Sequence, residues 1–237
     1  MMQSERDIGQ FKGFWRRFRV TPSPGVVAAA VEDDYHCMKV TVVHDGVRAS
    51  EVSADMSRAP WTTCPGASER LAETFGGYAL AEFARRGEKK TNCTHLHDLA
   101  VLAAAHAFDT ENSLFDIFVD DPVDGVRHAE IWFNGEQRLS WAESGMTITA
   151  PAAIAGSHLF ALGEWIASLD ETQAELARLL RWANVIANGR QIPIEQQSDA
   201  RTMPPNCFSF QPERAAVAKR VGLIRDFSLG AAIPLGG

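Results

Sequence analysis

The stretch VVAAAVEDDYHCMKVTVVHDGVRASEVS, residues 26–53, decides the fold because it predicts three β-strands in succession. Residues 26–31 and 35–43 are rich in β-branched side chains, and acidic turn residues separate the two runs. Asp45-Gly46 follows the second run, and Asp-Gly between two such runs is a strong hairpin signal. We therefore expect an antiparallel hairpin whose returning strand covers residues 47–53.

The rest of the chain predicts helices mixed with further antiparallel strands. Asn134-Gly135 lies between two β-type runs and is the clearest hairpin signal in the chain. Asp170, followed three residues later by Gln173, has the pattern of a helix N-cap. The predicted helices cover residues 64–75, 78–86, 94–108, 158–169, 171–188 and 212–221, and the predicted strands cover 115–119, 127–133 and 138–141.

This order of elements is typical of the α+β class, with antiparallel β-hairpins packed against several helices and a helical C-terminal part. Residues 1–25 are predicted to form an N-terminal extension, and residues 26–237 a single α+β domain. A hairpin followed by helices occurs twice, in residues 26–110 and 115–190, with a C-terminal arm after them. The two halves share too little identity to indicate a duplication.

The composition is that of a soluble globular protein: 46% of the 237 residues are hydrophobic and 22% are charged. A formal net charge of −7 argues against nucleic acid or anionic membrane as a partner. No apolar run approaches the ~20 residues of a membrane span, and the N-terminus lacks the apolar core of a signal peptide. Four cysteines without such a signal indicate reduced thiols. We expect a cytoplasmic protein with a small-molecule substrate, and homo-oligomer formation is left open.

The segment KTNCTHLHDLAVLAAAHAF, residues 90–108, concentrates polar groups at the start of a predicted alanine-rich helix. His95 and His106 lie on one face but about 16 Å apart along the axis, too far to share one metal ion. His106 is therefore predicted to be a core histidine with a hydrogen-bond partner. Cys93 precedes the first turn, where the helix dipole would stabilise a thiolate. Asp98 can orient the His95 imidazole from three residues away, or simply satisfy the helix N-terminus.

Further candidate site residues come from other segments. Asp34 and His36 are predicted to share a face at the start of a strand, because side chains alternate there. Arg58 could bind an anionic or phenolic oxygen, and Trp61 with Trp132 could line an apolar pocket. The alternative for Arg58 is a salt bridge to an aspartate beside a packed tryptophan.

The sequence lacks the motifs that bind nucleotides or redox cofactors. It contains no Walker loop, no Gly-x-Gly-x-x-Gly, no Gly-x-Ser-x-Gly and no EF-hand. Zinc is left open, with Cys64, Cys93 and His95 as the candidate ligands. These residues do not have CxxC spacing, so only the fold could assemble such a site.

Two of these segments together resemble a known family, the bacterial proteins grouped as domain of unknown function 2889. The first is Arg-Ala-Pro-Trp-x-x-Cys-Pro-Gly-Ala at residues 58–67, and the second is Cys-Thr-His-Leu-x-Asp-Leu at residues 93–99. The Asp-Asp-x-His element at residues 33–36 also resembles the family, as do Gly189-Arg190 and Cys-x-x-Phe-Gln-Pro at 207–212. The resemblance covers most of the chain. It implies that one pocket gathers His36, Arg58, Cys64, Cys93, His95 and Asp98, but it implies no reaction.

Two functions fit these residues. The first is a cytoplasmic small-molecule enzyme of the lyase or hydrolase class that needs no redox cofactor. Its specific form would be an acid/base lyase or hydratase for a hydroxylated catabolic intermediate, aromatic or not. His36 or His95 would be the acid or base, oriented by Asp34 or Asp98, which requires that both histidines face one cleft. The alternative is a non-catalytic binding or assembly protein with a structural Cys/His site, with or without zinc.

Overall fold

The computed structural model describes residues 12–221, 223–230 and 232–236. Two compact units make up this chain, and each combines strands with helices. Unit A comprises residues 18–113 and 193–225, and unit B comprises the described residues up to 17, residues 114–192 and the described residues from 226 onward. The strands are antiparallel and the last part of the chain is helical or irregular, which confirms the predicted α+β class. No described helix is long and apolar enough to cross a membrane.

The sheet of unit A is built on the stretch that opened the sequence analysis. Its strands are β1 (Gly13–Ser23), β2 (Val26–Glu32), β3 (Cys37–His44) and β4 (Ala49–Arg58). They lie in the order β4-β3-β2-β1, and residues 18–23 of β1 belong to this unit. Residues 13–23, assigned by the sequence to an N-terminal extension, are therefore a strand. Gly25 completes the turn into β2. Its φ of +74° is a backbone conformation that residues with a Cβ atom rarely adopt.

The β2–β3 hairpin differs from its prediction at the turn. Glu32 pairs with Cys37, so residues 33–36 form a four-residue loop, and Tyr35 and His36 do not begin the next strand. Below the loop, alternate residues of the two strands are almost fully buried: Val27, Ala29, Val31, Met38, Val40 and Val42. This period of two is the pattern of a sheet with one face in the core.

Two helices cover the sheet of unit A. Helix α1 (Ala67–Phe75) follows a short 3-10 helix at Cys64–Gly66 and packs against β4. Helix α2 (Thr94–Ala105) packs against β2 and β3, and its Leu96, Leu99 and Ala100 are fully buried. The predicted helix at 78–86 is a 3-10 helix, Leu80–Arg85. The first turn of α2 is thereby held next to the sheet.

Unit B contains the strands β5 (Ser113–Asp120), β6 (Val126–Phe133), β7 (Glu136–Ser144) and β8 (Thr147–Ala150), in the order β1-β5-β6-β7-β8. Asn134 and Gly135 both have positive φ, as the predicted β6–β7 turn requires. Helices α3 (Gly163–Ala167) and α4 (Glu171–Ala187) follow, and the Asp170 carboxylate accepts from the Gln173 N–H at 2.9 Å as the predicted N-cap of α4.

The predicted helix at 212–221 is much shorter in the structure. Helix α5 covers only Pro212–Ala215. The chain after it becomes extended, and Arg220 forms an antiparallel bridge with Trp61 in unit A. Tertiary pairing thus replaces the last turns of the predicted helix.

Candidate acid-base site

The loop at residues 33–36 is organised around the fully buried carboxylate of Asp33. Asp33 Oδ1 accepts from the backbone N–H groups of Tyr35 at 2.8 Å and His36 at 2.9 Å. The Asp33 N–H donates to the carbonyl of His36 at 2.9 Å, which closes the loop. The aspartate thus fixes the loop conformation by local hydrogen bonds, as aspartate commonly does in turns.

The same carboxylate binds the side chain of His36. Its two oxygens lie 3.0 and 3.2 Å from His36 Nδ1. A carboxylate in this position selects the tautomer that carries a proton on Nδ1 and leaves Nε2 as the nitrogen that can gain or lose a proton. Asp33 and His36 therefore have the geometry of an oriented general base.

His95, on the first turn of α2, brings a second imidazole to this pair. The ring centroids of His36 and His95 are 3.9 Å apart and the ring planes are inclined by 29°. His36 is 6% exposed, whereas His95 is partly exposed to solvent. The two imidazole rings are therefore in contact, and the buried ring of His36 has a more accessible neighbour.

The carboxylates that the sequence assigned to these histidines have other contacts. The loop geometry makes Asp33, and not Asp34, the partner of His36, because residues 33–36 do not alternate as a strand would. Both oxygens of Asp98 accept from Lys89 Nζ, at 2.6 and 2.8 Å. Asp98 is therefore held by the loop before α2, an arrangement that a helix-spacing argument does not include.

Arg58, the predicted binder of a substrate anion, supports the loop from the end of β4. Its Nη1 donates to Glu32 Oε1 at 3.2 Å, and its Nη2 donates to the carbonyl oxygens of Asp33 and of His36, the latter at 3.1 Å. The bidentate capacity of the guanidinium is directed at the protein's own backbone. The salt-bridge alternative weighed from the sequence is thus present, with a glutamate as the acid.

The two predicted tryptophans lie in different units. Trp61 is 2% exposed and packs in unit A with Cys64, Ala200 and Ala215. Trp132 packs in unit B in a cluster with Trp15, Phe118 and Phe227. Of the two, only Trp61 belongs to the unit that carries the histidines.

Burial raises the pKa of the thiols of Cys64, Cys93 and Cys207 in this unit. It raises the pKa of Cys93 to about 12 and that of Cys207 to about 11. Nearby thiols add to the increase at Cys93, while the N–H groups at the start of α2 oppose it without reversing it. The prediction of a Cys93 thiolate at the start of α2 is therefore wrong, because desolvation of the thiolate outweighs the helix dipole.

His106 has the hydrogen-bond partner that was predicted for it, but it is not the core histidine of α2. His97 is 4% exposed and packs against the Phe75 ring with centroids 5.0 Å apart. His106 lies at the end of the helix, where its Nδ1 is 2.6 Å from Asp109 Oδ2. The core histidine is therefore His97, because α1 packs against the side of α2 that the apolar pattern alone did not indicate.

One group of three described residues brings potential metal ligands together, Asp33, His36 and His95, with ligand atoms within 4.8 Å of one another. Cys64 and Cys93, the cysteines considered for zinc, are not in this group. Imidazole lone pairs lie in the ring plane, and the planes of the two stacked rings are inclined by 29°. The arrangement therefore offers an oriented base and, in the same three side chains, potential ligands for a metal ion.

The residues that sequence reasoning missed are Asp33, Tyr35 and Arg220. Asp33 carried a readable signal, since an aspartate followed by two or three residues before a strand commonly accepts from the backbone of its own turn. Tyr35, 7% exposed, places its ring 6.2 Å from that of His36. Arg220 reaches the same tyrosine from a segment predicted as helix, and no local pattern could have indicated it.

Residues 18–109 match the family described as Protein of unknown function (DUF2889). The match confirms, over these residues, the resemblance carried by the motifs at 33–36, 58–67 and 93–99. The match ends before residues 189–212, where two of the quoted similarities lie, and it covers less than half of the chain. It contains every residue of the Asp33–His36–His95 arrangement. No curated protein matches this chain.

Proposed function

We propose that the DUF2889 segment of this chain carries the acid/base site of a cytoplasmic small-molecule enzyme, a lyase or hydratase. The observation that supports the proposal is the contact of an oriented Asp33–His36 pair with a second imidazole, His95, at 3.9 Å between ring centroids. His36 is the general base, Asp33 positions it, and His95 is the general acid. The enzyme needs no redox cofactor for this chemistry.

The short distance between the two imidazoles disfavours a positive charge on both. Two positive charges about 4 Å apart repel by ~4 kcal/mol at an effective dielectric constant of 20. An elimination needs one neutral ring as the base and one protonated ring as the acid. The Asp33 carboxylate stabilises positive charge on His36 as it takes up a proton.

The proposed reaction is the reversible loss of water from a hydroxylated substrate. Nε2 of His36 removes a proton from carbon, and the electrons of that C–H bond form the new double bond. The C–O bond on the neighbouring carbon breaks, and His95 supplies the proton with which the hydroxyl leaves as water. Hydration is the reverse, and each proton transfer of this kind contributes about 10²- to 10⁴-fold to a rate.

The substrate class is a hydroxylated catabolic intermediate, aromatic or not. The aromatic side chains of Tyr35 and Trp61 lie in the same unit as the histidines, and both are almost fully buried. Of the two, Tyr35 places its ring 6.2 Å from that of His36, so an aromatic side chain lies beside the polar groups, as is usual in a small-molecule site.

A panel of hydroxy acids and their dehydrated counterparts, followed by proton NMR in D₂O, tests the proposal. Turnover should appear as loss or gain of alkene signals, with deuterium entering the position from which His36 removes the proton. His36→Gln and His95→Gln should each lower the rate at least about 100-fold. His128→Gln is the matched control, because the His128 side chain is 62% exposed and lies in unit B. A substrate turned over equally well by His36→Gln would contradict the assignment.

A binding or assembly protein with a structural Cys/His site is the second candidate. Its support is the proximity of three cysteines from distant segments: Cys64 and Cys207 both raise the pKa of Cys93, and Cys64 raises that of Cys207. Elemental analysis separates the two functions: one equivalent of zinc, lost together with the fold on chelation, favours this candidate. Melting temperatures add a second test, because His95→Ala should lower the melting temperature sharply only if His95 is structural.

A further inference from the structure

The extended segment after α5 places Arg220 against Trp61 in unit A, the unit that carries the candidate site. Its backbone is paired with residues 60–62: the Thr62 N–H donates to the Lys219 carbonyl at 3.0 Å and the Val221 N–H donates to the Pro60 carbonyl at 3.0 Å. The hydroxyl of Thr62 also accepts from the Lys219 N–H at 3.0 Å. These backbone hydrogen bonds pair Arg220 with Trp61 and fix the backbone position from which the Arg220 side chain extends.

The Arg220 guanidinium lies beside two aromatic rings. Its Cζ is 5.4 Å from the centroid of the Trp61 ring and 5.9 Å from that of the Tyr35 ring. Both distances are within the range of a cation–π interaction. The side chain is partly buried, and burial lowers the pKa of Arg220, with the neighbouring Tyr35 and Cys64 acting in the opposite direction.

No carboxylate of the described residues binds Arg220, which distinguishes it from comparable arginines. Arg214 also lies over a ring, that of Phe208 at 3.9 Å, but its Nη1 is 2.8 Å from Glu213 Oε1. Arg17 lies over Trp15 and is paired with Asp116 at 2.7 Å. A partly buried cation without a counter-charge is costly, and a guanidinium on an aromatic surface is well suited to a planar anion.

We propose that Arg220 binds the carboxylate of the substrate, so that the substrate class of this site is a small organic acid. This inference rests on the proposed function. Tyr35 is the common neighbour, 5.9 Å from the guanidinium carbon and 6.2 Å from the His36 ring, so that carbon and that ring are no more than about 12 Å apart.

This separation limits the size of the acid. A bidentate guanidinium–carboxylate pair has N···O distances of about 2.7–2.9 Å, and a base reaches its proton at about 2.6–3.2 Å between heavy atoms. What remains of the separation accommodates a molecule whose reacting carbon is only a few bonds from its carboxylate.

Benzoate is a suitable probe, with benzyl alcohol as its uncharged counterpart. In the full-length protein, titration followed through the Arg220 Nε–H signal in ¹⁵N NMR should show saturable binding of benzoate and none of benzyl alcohol. Arg220→Gln should weaken benzoate binding, measured by calorimetry, about 10- to 100-fold, because a charge-assisted pair is lost. Arg220→Lys should retain part of the affinity, since it keeps the charge without the planar fork.

Arg214→Gln is the matched control and should bind benzoate as the wild-type protein does. Equal binding by Arg220→Gln, equal binding of benzyl alcohol, or no saturable response to millimolar benzoate would overturn the inference. The variant His36→Gln separates it from the proposed function, because that variant should bind benzoate normally and lose turnover. Loss of turnover in His36→Gln without any role of Arg220 in binding would refute only the carboxylate assignment.

Discussion

Replacing Arg58 by methionine should destabilise the loop that carries the Asp33–His36 pair. Methionine keeps much of the apolar stem and removes the guanidinium, which donates to Glu32 and to the carbonyl oxygens of Asp33 and His36. The side chains of Arg58 and Glu32 are 15% and 7% exposed, so water replaces these bonds only in part.

The magnitude follows from two contributions. Hydrogen bonds from a charged group are each worth about 1.5–3 kcal/mol, and removing one member of a buried ion pair costs about 3–5 kcal/mol. The ion-pair contribution is smaller here, because Glu32 keeps a second cationic partner. Arg225 Nη1 lies 3.3 Å from Glu32 Oε1, and the Arg225 side chain is 49% exposed. We therefore expect Arg58→Met to lower the free energy of unfolding by about 3 kcal/mol.

Urea unfolding followed by circular dichroism measures this change, and hydrogen exchange of the peptide covering residues 33–36 locates it. Arg70→Met is the matched control, because the Arg70–Glu73 pair spans 3.1 Å on side chains that are 36% and 67% exposed. Such a surface pair contributes at most about 1 kcal/mol. A loss below about 1 kcal/mol in Arg58→Met, with unchanged exchange in the loop, would refute the supporting role of this arginine.

Three further outcomes follow from the same unit. Burial raises the pKa of Cys93 from 9.0 to about 12, so the protonated thiol's contribution to stability is complete below pH 9 and is lost as the pH rises toward 12. Between these limits the unfolding free energy of the wild-type protein should fall with pH more steeply than that of Cys93→Ala, by about 1.4 kcal/mol per pH unit. Urea unfolding at a series of pH values measures both slopes. Burial lowers the pKa of His97 from its ordinary 6.5, so the neutral ring's contribution to stability is present above pH 6.5 and is lost on acidification. His97→Leu should therefore lose less stability than the wild-type protein between pH 7 and pH 5. Equal losses would count against a buried neutral ring. Neutral His36 should carry its proton on Nδ1 because of Asp33, which long-range ¹H–¹⁵N NMR detects directly, and Asp33→Asn should change that tautomer preference.

Local sequence determined the elements whose stabilising contacts lie within a few residues. The Asn134-Gly135 turn forms because these residues tolerate positive φ, and the Asp170 cap forms because its carboxylate reaches an N–H three residues away. The β-branched residues in 26–31 indicated a strand, and residues 26–32 are one. The motifs at residues 33–36 and 93–99 identified the segments of the candidate site for the same reason, since each is short and self-contained.

Only the tertiary structure decided which side chains meet. Asp33 and Asp34 are equivalent in sequence, and the four-residue loop selects Asp33 as the partner of His36. Asp98 had a histidine at helical spacing but binds Lys89, which the preceding loop brings to it. Arg220 leaves a predicted helix to pair with Trp61, because hydrogen bonds to residues 60–62 replace those of the helix. Turn and cap preferences act over a few residues and can be read from the chain, whereas burial, charge pairing and strand partners depend on segments far apart in sequence, and those contacts set the chemistry of the site.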